Sequence, residues 1–195
     1  MRFHLGPPEG LPVAPHDVAG WNPVWSPPDP ERFHNLIVLT MVAVQCLALL
    51  AIASFWPGPG PGRLTWVVLL LLALLMPAHE ALHCAGHPSF GFSDRTWVGI
   101  APKQLRVYAA YVGQLPRWRR GLITLLPLIG LTGVPLFLVT VVRVPSVDLV
   151  FFAVANLGMS AADVVSATII AWDVPPGATI LQDATGVWWR RNDAG

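Results

Sequence analysis

The chain has 195 residues and a net charge of +1, with only 12% of its side chains charged against 54% hydrophobic. So thin a charged shell argues against an ordinary water-soluble fold, and the wealth of large apolar residues excludes a disordered chain. The near-neutral balance excludes nucleic acid as a partner, because phosphate binding needs concentrated basic surface.

Much of the chain is therefore expected to meet membrane lipid. Residues 1–35 carry eight prolines and no apolar core segment, and read as an extended, poorly ordered tail. Four segments then reach the roughly 20 apolar residues that a helix needs to cross a bilayer. They run from Leu36 to Trp56, Leu64 to Gly86, Leu122 to Val142 and Asp148 to Trp172. A proline-glycine turn, Pro57 to Gly62, reverses the chain between the first two. Between spans two and three, alternation from Thr96 to Tyr111 predicts a β-hairpin with its corner at Pro102-Lys103. A second small hairpin is expected after the last span, where Ala178–Gln182 and Val187–Trp189 flank Asp183 to Gly186, with Trp188 and Trp189 at headgroup level. Of the twelve Lys and Arg residues, only Arg63 and Arg143 fall on one side of this scheme. The positive-inside rule therefore places both termini and the hairpin in the cytoplasm of a multi-pass cell-membrane protein. The expected fold is an all-α membrane protein of four transmembrane helices with a small cytoplasmic β-hairpin. Its parts are a Pro-rich tail (1–35), a membrane domain carrying a metal site (36–172) and a cytoplasmic C-terminal segment (173–195).

Ionisable groups within a membrane span are costly and mark function. The second span holds three in five residues, His79-Glu80-Ala81-Leu82-His83. Two histidines four apart project from one helix face, one turn apart, so both imidazoles reach a single Zn²⁺. Glu80 is offset around the helix, near the cation's open position, where it takes a proton from water. A polar patch packed against other helices is the plainer alternative. Zinc sites of this type need a third protein ligand. Asp163 lies 15 residues into the fourth span, the depth His79 has in the second, and is the first candidate; His87, just past Gly86, is the second. Asn156 and Ser160 share the face of Asp163 and read as helix-to-helix hydrogen-bonding residues. Cys46 and Cys84 form neither a disulfide framework nor a metal pair.

With these residues in place, the chain resembles site-2 protease type intramembrane metallopeptidases. It is more closely similar to a zincin-peptidase family of small bacterial membrane proteins. The likeness spans roughly residues 64–190 and includes Leu115-Pro116-Arg117-Trp118-Arg119, Leu126-Pro127, Ser160 to Asp163 and Pro175 to Thr185. Ala161-Ala162 precede Asp163, where site-2 proteases have an Asn-Pro-Asp-Gly context. The resemblance implies His79, His83 and Asp163 as zinc ligands and Glu80 as catalytic base. The expected function is a membrane-embedded zinc metallopeptidase acting on peptide or transmembrane protein substrates, held by β-addition to the 96–111 hairpin. The alternatives are a non-catalytic metal- or partner-binding protein and a zinc-dependent hydrolase of a lipid or other amide.

Overall fold

The computed structural model describes residues 1–6, 8–13, 19–55, 66–102, 106–144 and 146–191. The expected turn at Pro57–Gly62 and Lys103 of the hairpin corner lie outside the described residues. The chain divides into two compact units: residues 1–26, 80–126 and 165–195 form the first, and residues 27–79 and 127–164 the second.

The first unit is built on two sheets. Strands β1 (Arg2–Leu5), β3 (Thr96–Ala101) and β4 (Arg106–Tyr111) form one, in the order β1-β3-β4. β3 and β4 pair antiparallel, Thr96 opposite Tyr111, and β1 adds in parallel along β3. Strands β2 (Asn22–Pro23), β5 (Gly113–Pro116), β6 (Thr179–Asp183) and β7 (Gly186–Arg190) form the other, in the order β2-β7-β6-β5. Leu11, Trp21, Tyr108, Ala110, Val112 and Leu181 make the main core of this unit. In β4 it is therefore the Tyr108–Ala110 face that is buried. The Tyr108 ring lies on Gly99 of β3, where any Cβ would collide with it.

The second unit is helical. It holds α1 (Pro30–Phe55) and most of α2 (Trp66–Gly86). It also holds a π-helical segment, Leu128–Gly133, that follows α3 (Arg117–Pro127), and then α4 (Val134–Thr140) and α5 (Val147–Met159). The Ser146 hydroxyl caps α5 by accepting from Leu149 N. α1 packs on α5, where Gln45 Nε2 donates to the Ala155 carbonyl (2.7 Å) across the bare surface of Gly158. After a break at Ser160 the chain continues as α6 (Ala161–Asp173), bent by 50° from α5.

Two expectations are corrected. The protein is not an all-α four-span bundle: about 58% is helix, 20% is strand, and the strands form two sheets. Among the described residues, one helix is long and apolar enough to cross a membrane, the continuous stretch Arg117–Thr140; the bent α5–α6 pair makes a second only if counted as one span. Hydropathy sums side chains and does not register the break at Ser160, nor that short alternating runs join distant strands. Second, the amino-terminal segment is not simply a tail. It supplies β1 and β2, with Leu11 and Trp21 buried; Pro23 is tolerated because β2 is an edge strand. Trp188 and Trp189 are partly buried and pack against the two cores of the sheet-bearing unit.

Candidate metal centre

Pro77 lies inside α2, two residues before the motif. Its ring has no N–H to donate to the carbonyl four residues back, so the helix is locally weakened just ahead of His79. Beyond it, regular helix carries His79, Glu80 and His83 to Gly86. The end of α2 is held by α3. Arg119 donates through Nε and Nη2 to the Gly86 carbonyl, both at 3.2 Å, and so satisfies a carbonyl at the helix terminus. Gly86 allows the approach: a Cβ there would lie 2.7 Å from both Ile123 Cγ1 and Leu126 Cδ1. Arg117 does the same for the end of α6, donating through Nη2 to the Ala171 carbonyl (2.7 Å).

The close passage of α2 and α3 places His83 Nδ1 2.9 Å from the Ile123 carbonyl oxygen. A carbonyl only accepts, so Nδ1 carries the proton and a neutral His83 has its lone pair on Nε2. His79 is buried, with Nδ1 3.0 Å from Asn156 Oδ1 at the last turn of α5. Its Nε2 lies 3.0 Å from Asp163 Oδ2. Asp163 stands in the first turn of α6, where the helix dipole favours a negative charge. The break at Ser160 thus turns α6 so that Asn156 and Asp163 meet opposite edges of one imidazole.

One ligand atom from each of His79, His83 and Asp163 lies within 4.8 Å of the others. Neighbouring donors around a tetrahedral zinc with bonds of 2.0–2.1 Å are about 3.3 Å apart, so the group is of the right size. Its chemistry fits as well. Both histidines have Nδ1 committed to a neighbour, the arrangement that leaves Nε2 for a cation. An imidazole lone pair and a carboxylate oxygen 3.0 Å apart repel each other unless a proton or metal ion lies between them. Glu80, half-buried, follows His79 directly on α2.

His87, the other candidate for third ligand, stands outside this group. It is buried against the Tyr111 ring, with centroids 5.5 Å apart. Burial, and then the charge of Arg120, push its pKa down to about 3, so it is neutral. Sequence reasoning did not find the Ile123 carbonyl or Thr132. The first is a backbone atom with no sequence signature, and the second an ordinary helical threonine whose role depends on a local change of helix type. Asn156 was visible only as a polar residue on an apolar face.

The model of the family described as Putative zincin peptidase matches residues 72–179, more than half of the chain and all of the group just described. No curated protein and no solved structure matches it.

Proposed function

The chain belongs to that zincin-peptidase family, and on this premise we propose that it is a membrane-embedded zinc metallopeptidase cleaving membrane or membrane-proximal peptides. The observation that carries the reading is the meeting of His79, His83 and Asp163 beside the Glu80 of the same helix. His79 and His83 would hold zinc through Nε2, and Asp163 through a carboxylate oxygen. Zinc supplies Lewis acidity there, lowering the pKa of a water and polarising a carbonyl. Glu80 takes the proton from the attacking water and passes it to the departing amine nitrogen as the C–N bond breaks, leaving a carboxylic acid and an amine. Membrane embedding is supported by the Arg117–Thr140 helix and the apolar side chains it exposes, among them Leu122, Ile129, Val134 and Phe137. Trp118 at its start and Trp172 at the end of α6 are 69% and 89% exposed, as expected of aromatic rings at a lipid headgroup layer. A substrate must present an extended backbone, and the outer edge of β4 offers one for strand addition.

Glu80→Gln tests the reading. The purified variant should bind zinc like wild type and lose cleavage of membrane peptides by more than a hundredfold, with uncut peptides accumulating in cells that carry it. Undiminished cleavage by Glu80→Gln refutes the assignment of the base. Unchanged peptide profiles alongside altered lipids would point to a lipid or amide hydrolase instead.

A further inference from the structure

We infer that Asn156 is a positioning residue that fixes which nitrogen of His79 faces the metal site, and that the π-helical segment Leu128–Gly133 exists to hold Asn156. The inference rests on the zinc reading above but concerns residues outside the ligand set.

Asn156 is fully buried, and every polar atom of its amide is used. Nδ2 has two hydrogens and donates them to the Pro127 carbonyl (2.9 Å) and to Thr132 Oγ1 (2.9 Å), with Ser160 Oγ 3.2 Å away. Oδ1 faces His79 Nδ1 at 3.0 Å. The orientation is determined by the partners. The Pro127 carbonyl only accepts, and the Thr132 hydroxyl spends its proton on the Ala153 carbonyl (3.1 Å), so it too accepts from Asn156. Turning the amide over would set Oδ1 against two such acceptors inside a buried site, where unpaired groups are costly. Oδ1 is therefore fixed towards His79, Nδ1 must be the protonated nitrogen, and Nε2 is left facing Asp163.

The π-helix and the residue that precedes it supply these two acceptors. Pro127 ends α3, and the wider turn that begins at Leu128 carries Thr132. Single π turns inside α-helices are often found at functional sites. Here one brings a backbone carbonyl and a hydroxyl together on one side chain of α5. Partners in this position commonly control metal affinity by about 10- to 100-fold.

The test uses full-length protein in detergent, with zinc itself as the probe. Asn156→Leu should weaken zinc binding by about 10- to 100-fold in competition with a chromogenic chelator. Nitrogen-15 spectra of histidine-labelled protein, with His79 identified by comparison with His79→Gln, should show a protonated Nδ1 in wild type, with and without zinc. That signature should be lost in Asn156→Leu. If Asn156→Leu does not fold, Thr132→Val takes its place and should show a smaller shift in the same direction. Folded Asn156→Leu, or Thr132→Val where that variant stands in, with zinc affinity and His79 protonation like wild type overturns the inference. A wild-type chain that binds no zinc, yet shows Nδ1 protonation dependent on Asn156, overturns the zinc reading and upholds the positioning role.

Discussion

Asp163→Asn keeps the shape of the side chain and removes the charge 3.0 Å from His79 Nε2. A four-ligand structural zinc site is worth about 10–16 kcal/mol, or about 3 kcal/mol per ligand, so weakening one ligand should cost about a hundredfold in zinc affinity. This becomes a stability difference by mass action. At free zinc about 100 times the wild-type dissociation constant, wild type gains about 2.7 kcal/mol and the variant only about 0.4 kcal/mol. Chelator competition reads the affinity, and the zinc-dependent shift in thermal unfolding reads the linkage. A plain ion pair between Asp163 and a protonated His79 predicts the reverse pattern. The variant would then lose stability without zinc, by up to about 3–5 kcal/mol for a stranded buried charge, and zinc would add nothing to wild type. Zinc affinity within threefold of wild type, with the same zinc-dependent shift, would refute Asp163 as a ligand.

Three further outcomes are expected. Gly86→Val drives a branched side chain into Ile123 and Leu126, where even a Cβ comes to 2.7 Å, and should cost about 1–3 kcal/mol in urea unfolding while weakening zinc binding through His83; an unchanged midpoint contradicts the close passage of α2 and α3. His87, at about 3 instead of its ordinary 6.5, stays neutral in the folded protein while the unfolded chain takes up a proton below pH 6.5. Its share of stability is complete above that pH and falls by about 1.4 kcal/mol per unit down to pH 3. His87→Leu should therefore flatten the pH dependence of unfolding between pH 6.5 and 5 by about one proton, and a slope equal to wild type argues against a neutral His87. Proline at Val107 or Ala109 removes backbone donors from β4. At whichever of these positions faces the open edge, it should reduce peptide cleavage; full cleavage by both variants would rule out strand addition there.

Much of the candidate site is already written in the sequence. His79 and His83 need only helical geometry to share a face, with Glu80 offset beside them, so any fold that keeps α2 helical brings the pair together. Asp163 stood out because a carboxylate in an apolar run lacks a neutralising partner. Its spatial relation to His79 was less legible, because depth along an assumed straight helix ignored the bend at Ser160. The pairing of β3 with β4 and of β6 with β7 also followed from local alternation, since few residues separate the strands of each pair.

Tertiary structure alone decided the rest. β1 lies beside β3 in parallel although more than 90 residues separate them, and no local pattern encodes so distant a partner. The helix break at Ser160, the π-helical turn at Leu128–Gly133 and the approach of Ile123 to His83 are likewise outcomes of packing. Residue identity determined which groups can bind a cation, because ligand chemistry belongs to the side chain. Which of their atoms point to it depends on hydrogen bonds from other helices, and those exist only once the chain has folded.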